Sequence, residues 1–185
     1  PGSPRPFAHV IANELGHGAV LTNDGDIYTF HRNARQNSVT PFRMGEGRWL
    51  PTGQGIYVAD LAANQTSSAT FVPCRRNDGH YNVAFGRGYA VYSNRQDDLE
   101  IEMTVFAAID EPVLFKIMRL RNIGTETRVL RIVPYAEIVL AETPQESVGN
   151  VVAETSDNAR ELFFSNPGND IVSGWAFATT NLAAE

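Results

Sequence analysis

The alternation of apolar and polar residues between Leu99 and Ile109 constrains the fold of this chain more than any other feature. In the stretch LEIEMTVFAAI, the apolar side chains at 99, 101, 103 and 105 alternate with Glu100, Glu102 and Thr104. A period of two belongs to a β-strand with one buried face, whereas a helix would scatter the glutamates around its axis. The sequence therefore predicts a half-buried antiparallel strand.

The residues that follow predict the partner of this strand. A turn sequence at 110–112 leads into Val113–Asn122, which is rich in branched and large apolar residues, so the two segments are expected to form a hairpin. Another alternating run extends from Arg128 to Leu140 and contains Pro134. Because proline cannot donate a hydrogen bond to a neighbouring strand, this run is expected at a sheet edge or at a bulge.

Short β-patterns separated by Asn, Asp, Gly and Pro clusters recur along the rest of the chain, and no amphipathic helical pattern of about ten residues or more interrupts them. The fold class predicted is all-β, a large antiparallel β-sandwich. Further strands are predicted around Val10 and over 19–22, 27–31, 56–59, 69–72, 81–85, 90–92, 151–154, 161–165 and 171–179.

Composition narrows the classes of partner. A net charge of −6 and a pI near 5.2 argue against binding to nucleic acid or anionic lipid, both of which require a positive surface. Cys74 is the only cysteine, so an intrachain disulfide is excluded and a reducing, cytoplasmic location is expected. The four histidines lack the spacing of a metal site, and no metal ligand is predicted.

The loop from Arg32 to Arg43 has the strongest claim to a binding role. Guanidinium and amide groups donate to hydroxyl and phosphate oxygens, and Phe42 or Trp49 offers a ring for a pyranose face. The alternative is that these polar groups only satisfy the loop backbone while the aromatic rings fill the core. The candidate substrate-binding residues are Arg32, Asn33, Arg35, Gln36, Asn37, Thr40 and Phe42.

Two other clusters invite catalytic interpretations that the sequence does not favour. Glu100 and Glu102 have the spacing of paired catalytic carboxylates, but arginines on the next strand are expected to form salt bridges with them. The Gly-x-Gly within FGRGYAVY, at 85–92, lacks the helix that a phosphate loop requires. A tight bend or bulge with an aromatic residue packed beside it is expected there instead.

Three segments together resemble the N-terminal β-sandwich domain of the glycosyltransferase 36/glycoside hydrolase 94 family: NELGHGAVLTNDGD, IYTFHRNARQNSVTPF and FGRGYAVYS. This family comprises disaccharide phosphorylases and the phosphorylase-like region of cyclic β-1,2-glucan synthases. The resemblance implies the supersandwich architecture shared with galactose-mutarotase-like folds. It also implies that catalysis, by inverting phosphorolysis, resides in an (α/α)6 barrel C-terminal to the sandwich, so that none of these residues is catalytic.

The resemblance also implies partners. Residues 1–7 are expected to be a linker or the boundary of an expressed fragment, and 8–185 a single β-sandwich domain shorter than a complete one. The implied partners are a carbohydrate (β-glucan or disaccharide), the catalytic barrel of the same parent chain and a second copy of the domain, without nucleic acid. No cofactor is implied, although inorganic phosphate would be a co-substrate of the parent enzyme.

Two other functions remain open on the sequence. One is a stand-alone carbohydrate-binding module, whose aromatic platform would come from Trp49, Tyr57 and Trp175. The other is an independent mutarotase-type enzyme, which would need a general acid and base in one pocket. His80 with Glu137 or Glu102 is the combination that the sequence offers for that role.

Overall fold

A computed structural model describes residues 7–33, 35–43, 53–157 and 160–182, and these residues are almost entirely β-structure. The all-β class predicted from the sequence is confirmed. The described residues contain these elements: β1 (Ala8–Ala12), β2 (His17–Thr22), β3 (Ile27–His31), β4 (Gln54–Asp60), β5 (Gln65–Ser67), β6 (His80–Gly86), β7 (Tyr89–Gln96), β8 (Leu99–Ala107), β9 (Leu114–Asn122), β10 (Leu130–Ala136), α1 (Pro144–Ser147), β11 (Val152–Thr155), β12 (Glu161–Ser165) and β13 (Ala176–Thr179). No helix in these ranges is long and apolar enough to cross a membrane.

All strand pairs are antiparallel and group into four sheets within the described ranges. The largest has the order β6-β7-β8-β9, and the three-stranded sheets have the orders β1-β2-β3, β10-β4-β5 and β11-β12-β13. The hairpin expected from residues 99–122 is β8 with β9. Most neighbours in a sheet are consecutive in sequence, since short turns join antiparallel strands directly.

The alternation along β8 decides where the core lies. Its apolar side chains, Leu99, Ile101, Met103 and Val105, are all buried, as the period of two predicts. They pack in one hydrophobic cluster with residues of β1, β2, β3, β4 and β7, so the β6–β9 sheet packs against the β1–β3 sheet and against β4. The phenol of Tyr92 adds a polar link across this core, since it donates to the carbonyl of Thr22 at 2.8 Å.

The opposite face of β8 is solvated and salt-bridged, as predicted. Glu100 lies opposite Arg121 and Glu102 opposite Arg119 in the β8–β9 register. The guanidinium-to-carboxylate distances are 3.5 Å for the first pair and 3.2 Å for the second. These glutamates therefore belong to a charged outer face, where exposed pairs contribute about 0 to 1 kcal/mol each.

Pro134 lies in an edge strand, as its missing N–H group predicts. Strand β10 forms the edge of its described sheet, pairing with β4 alone, and Pro134 stands opposite Ile56 in that pair. The Gly-x-Gly prediction is also confirmed, because Arg87 and Gly88 form the two-residue turn between β6 and β7. Gly88 has a φ of +81°, a left-handed conformation that glycine adopts without steric cost.

The prediction of a strand at 69–72 is wrong. Ala69 and Val72 are buried, which produces the apolar signal, but the backbone there turns instead of joining a sheet. The Ser68 hydroxyl donates to the Thr70 carbonyl at 2.6 Å, and the Thr70 hydroxyl donates to the Val72 carbonyl. Such local side-chain bonds offer the backbone an alternative to a ladder.

Two other boundaries differ from the predicted ones. The strand expected over 171–179 is reduced to β13, and the short helix α1 occupies part of the segment 143–150, which was expected to be a loop. Helix α1 begins at a capping box in which the side chains of Thr143 and Glu146 satisfy each other's backbone N–H groups. Residues 144–147 are too few to show an amphipathic pattern, so the sequence pattern missed them.

We expect Ile101→Ala to lower the free energy of unfolding by about 2 to 5 kcal/mol, because it opens a cavity where the side chain is 1% exposed. Ile117, on the outer face of the same sheet, is 57% exposed. Its alanine variant is the matched control and should cost less than about 1 kcal/mol. Urea unfolding measures both values, and equal losses would contradict the assignment of inner and outer faces.

Candidate functional site

The loop at 32–43, called here the site loop, begins with a tight turn organised by Asn33. The Asn33 carboxamide oxygen accepts from the backbone N–H of Arg35 at 2.9 Å and of Gln36 at 3.2 Å, and its Nδ2 donates to the Gln36 side chain at 2.5 Å. An asparagine that bonds to the backbone two residues onward forms an Asx turn. The structure describes every residue of this loop except 34, and the turn presents Arg35 outward.

The second half of the loop is anchored in the protein. Asn37 is buried, donating to the His31 carbonyl at 3.1 Å and accepting from the Asn169 side chain at 3.3 Å. Thr40 is also buried, and its hydroxyl oxygen accepts from the backbone N–H of Thr29 at 3.0 Å. Both side chains were predicted to bind substrate, and both are committed to holding the loop.

Backbone bonds attach the middle of the loop to the segment that follows β10. Ser38 N–H donates to the Ala141 carbonyl at 2.9 Å, and Val139 N–H donates to the Val39 carbonyl at 3.0 Å. The Ser38 side chain is also within 3.0 Å of the Tyr28 hydroxyl. The loop is therefore fixed on two sides, which lowers the entropy it would lose on binding a ligand.

Five of the seven predicted residues are exposed or half-buried. Arg35 is the most open, with 88% of its side chain exposed and Glu142 at 3.7 Å. Arg32 and Phe42 are exposed, and Gln36 is half-buried. Asn33 is exposed as well, but its side chain is engaged in the turn described above. Whether these groups contact a substrate remains a prediction.

The exposed position of Arg32 depends on a glycine in another turn. Arg32 has a φ of +62°, and its N–H donates to the Gly16 carbonyl at 2.8 Å. A Cβ at Gly16 would lie 3.0 Å from the Arg32 Cα, and Gly16 itself has a φ of +73°. The turn between β1 and β2 thus fits against the start of the site loop only because residue 16 has no side chain.

Comparison with known proteins identifies the family. The family model for the glycosyl hydrolase 94 supersandwich domain matches residues 1–184, which is nearly the whole chain. The chain belongs to the glycosyl hydrolase 94 supersandwich family. The match continues beyond Glu142, where recognisable motifs are sparse in the sequence.

This supersandwich domain is also similar to a curated protein, the cyclic beta-(1,2)-glucan synthase NdvB of Rhizobium meliloti (strain 1021). The two are 28% identical over 165 residues, which is 89% of this chain. The chain spans only 6% of the length of that relative. The similarity therefore concerns one domain of a much larger protein.

A buried amide links the site loop of the supersandwich domain to strands of three sheets. Gln54, at the start of β4, donates from Nε2 to the Thr29 hydroxyl at 2.6 Å and to the Thr40 hydroxyl at 3.2 Å. Its Oε1 accepts from the ammonium group of Lys116 on β9. Residues of β3, β4, β9 and the loop thus share one network, which sequence spacing could not reveal because its members lie far apart in the chain.

Lys116 is the only lysine of the chain and lies on the inner face of β9, between Leu114 and Met118. Burial lowers the pKa of its ammonium group to about 8. The charged form is disfavoured because it is removed from water, and the Gln54 oxygen compensates only in part. The network is therefore held partly by a cation that the fold tolerates at a cost.

Two histidines also lie beside the site loop, although they are far apart in sequence. His17 on β2 faces His31 on β3 across the ladder, with ring centroids 5.7 Å apart. Burial, and secondarily the neighbouring His31, lowers the pKa of His17 to about 4; burial, and secondarily Arg32, lowers the pKa of His31. Both rings are therefore neutral near pH 7. In the described ranges, no cluster of three or more potential metal-ligating side chains forms around them.

Both carboxylates considered for a mutarotase-type site are held by arginines, and the third group, His80, is exposed at the start of β6. Both oxygens of the Glu137 carboxylate accept from the Arg43 guanidinium, at 2.7 and 2.6 Å. Glu102 forms the salt bridge with Arg119 described above. Of the aromatic platform proposed for a binding module, Trp175 is exposed, Tyr57 is half-buried, and Trp49 lies outside the described residues.

The low pKa of His17 predicts a pH-dependent stability. In the unfolded chain His17 binds its proton near pH 6.5, whereas in the folded chain it binds it only near pH 4. The free energy of unfolding is therefore highest above about pH 6.5 and falls as the pH is lowered towards 4. The loss should be on the order of 3 kcal/mol. Urea unfolding of wild type and His17→Gln across this range checks it. His80→Gln, at an exposed strand position, is the control, and a wild-type slope retained in His17→Gln would contradict the prediction.

Lys116 predicts a pH dependence of the same sign at alkaline pH. Between about pH 8 and 10.5 the unfolded chain binds more protons than the folded one, so stability rises with pH in this window. The slope is at most about 1.4 kcal/mol per pH unit. The difference in unfolding free energy between wild type and Lys116→Met isolates this contribution, since other titrating groups cancel. A difference that is constant with pH would show that Lys116 is not desolvated.

Proposed function

We propose that this supersandwich domain is a non-catalytic part of a β-glucan-active enzyme, in which the site loop forms one wall of a substrate pocket on a neighbouring (α/α)6 catalytic barrel. The observation that carries the proposal is the construction of the loop. Its buried residues, Asn37 and Thr40, fix it to the domain, while Arg32 and Arg35 project outward. A loop that is fixed on two sides and presents exposed polar groups suits a role in positioning a ligand.

The chemistry of the exposed groups supports a polyhydroxylated or phosphorylated ligand. A guanidinium group donates in a planar fork to hydroxyl or phosphate oxygens. The Phe42 ring packs edge-on against Tyr28, with centroids 5.2 Å apart, and its exposed surface suits the apolar face of a pyranose. We therefore propose a β-glucan or disaccharide as ligand and inorganic phosphate as co-substrate of the parent enzyme, without an organic cofactor.

The similarity to a cyclic beta-(1,2)-glucan synthase favours a synthase-like parent over a disaccharide phosphorylase. The placement of Glu100, Glu102 and Glu137 supports a non-catalytic role for this domain, because each of these carboxylates is held by an arginine. A general acid for glycoside cleavage requires a protonatable carboxyl group facing the substrate. We place that acid in the barrel.

Exposed apolar side chains support a packing partner for the domain. Phe163, Trp175 and Phe177 are solvent-accessible on or beside the β11–β13 sheet. We propose that the barrel of the same parent chain covers this sheet and that a second copy of the domain is its alternative occupant. The net charge of −6 gives no support to nucleic acid as a partner, and the single cysteine favours a cytoplasmic location.

The test uses the parent enzyme that contains this domain. Arg35→Ala should lower kcat/KM for the β-glucan substrate roughly tenfold, because a charge-assisted hydrogen bond contributes about 1.5 to 3 kcal/mol. Steady-state kinetics with glucan and phosphate varied separately show which ligand the guanidinium contacts.

Arg119→Ala provides the matched control for this experiment. Its side chain is 80% exposed and, like Arg35, has one carboxylate within 4 Å, but it lies on the outer face of the β6–β9 sheet. This variant should retain wild-type kcat/KM. Unchanged kinetics in Arg32→Ala and Arg35→Ala alike would overturn the assignment of the loop to the substrate pocket.

A further inference from the structure

A row of aromatic side chains crosses the outer face of the β6–β9 sheet at one level. Tyr89 on β7 lies directly opposite Phe106 on β8, which lies directly opposite Phe115 on β9. The rings of Phe106 and Phe115 are stacked, with centroids 5.1 Å apart and planes inclined by 19°. Tyr89 and Phe115 are each 45% exposed. The three rings span two strand spacings, roughly 10 Å.

Strand β6, which pairs with β7, leaves room for this row. Gly86 pairs with Tyr89 in the β6–β7 register, and a Cβ at Gly86 would lie 2.2 Å from Cζ of the Tyr89 ring. The ring therefore lies over the glycine, close against the sheet. A side chain at 86 would lift the ring away from the surface, so the sequence Gly-Arg-Gly-Tyr both makes the turn and shapes the aromatic row.

The two ends of the outer face of this sheet carry different kinds of side chain. One end carries the salt-bridged pairs of Glu100 and Glu102, and the other end carries the aromatic row. Val91, Thr104 and Ile117 lie across adjacent strands between the two ends. An aromatic surface bordered by a hydroxyl group suits a ligand with both apolar faces and hydroxyl groups.

The row opens at its side into a cleft of about 800 Å³. Tyr89, Thr104 and Phe106 form one wall of this cleft, and Glu14 and Arg87 supply charged groups around it. The volume lies within the range of about 300 to 1,000 Å³ that is usual for small-molecule sites. The cleft thus combines an aromatic wall with hydrogen-bonding groups of both signs.

The opposite wall is braced by Asn13. Its side-chain Nδ2 donates to the carbonyl of Ala108 at 2.8 Å and to that of Glu111 at 2.7 Å. These bonds fix the turn between β1 and β2 against the end of β8. Gly16 in the same turn accepts from Arg32, so one turn contacts both the cleft and the site loop. The turn at 13–16 therefore touches both the lining of the cleft and the start of the site loop.

We propose that the aromatic row and the adjoining cleft bind a β-linked glucan chain and lead it towards the site loop. The apolar C–H faces of successive glucose units lie on the rings of Phe115, Phe106 and Tyr89, and their hydroxyl groups bond to Glu14 and Arg87. The choice of a β-glucan as occupant rests on the proposed function. The aromatic row, the cleft beside it and the turn that links the cleft lining to the site loop are independent of that function.

The test is isothermal titration of this chain with a linear β-1,2-linked gluco-oligosaccharide. Wild type should bind with a Kd in the millimolar range or below. Phe115→Ala and Tyr89→Ala should each weaken binding by about three- to tenfold, since each removes one stacking ring. Phe115→Tyr, which keeps a ring, should retain wild-type affinity. Thermal unfolding of every variant checks that the fold is intact.

Two controls separate this site from others. Phe177→Ala removes a 50% exposed aromatic side chain from β13, outside the row, and should leave binding unchanged. Arg119→Ala, at the charged end of the same outer face, should also bind like wild type. Loss of binding in Arg35→Ala with retention in Phe115→Ala would overturn the inference and assign binding to the site loop.

Two further outcomes would also overturn it. The first is no heat of binding with wild type at millimolar oligosaccharide. The second is self-association through the row, detected by light scattering as a dimer that Phe115→Ala converts to a monomer. Neither outcome touches the proposed function, whose test is the kcat/KM of the parent enzyme carrying Arg35→Ala. The two hypotheses can therefore fail separately.

Discussion

The burial of one face of the β6–β9 sheet is the constraint on which the rest of the structure depends. Four consecutive inward residues of β8 are buried, so that face must be covered, and the β1–β3 sheet and β4 cover it. At about 25 cal/mol per Å² of apolar surface, this burial is the largest stabilising contribution available to the fold. The outer face is thereby left free for charged pairs at one end and aromatic rings at the other.

Polar groups inside this arrangement serve to position the site loop. The Gln54 amide links Thr29 and Thr40 to Lys116, so the loop is attached to the same inner face that the apolar residues define. A buried lysine is costly, and a buried network of this kind stabilises only when its members are satisfied. The hydrogen bonds of this network hold Thr40 of the loop against β3 and β4.

The two proposed surfaces share a common structural origin in the turn between β1 and β2. The Asn13 side chain donates to the Ala108 carbonyl beside the cleft, and the Gly16 carbonyl accepts from the N–H of Arg32, the first residue of the site loop. One four-residue turn therefore lies between the aromatic row and the exposed arginines. Under the two proposals, the domain would hold a polymer on the aromatic row and present its end to the site loop.

The sequence by itself determined the all-β class, the β8–β9 hairpin, the edge position of Pro134 and the salt bridges of Glu100 and Glu102, because each follows from residues adjacent in the chain or from a period of two. Three motifs also pointed to the family. Only the tertiary structure decided that Asn37 and Thr40 are buried anchors while Arg35 is exposed, and that Tyr89, Phe106 and Phe115 align. The physical reason is that burial and alignment depend on strand register and on sheet packing, which join residues that the linear order separates.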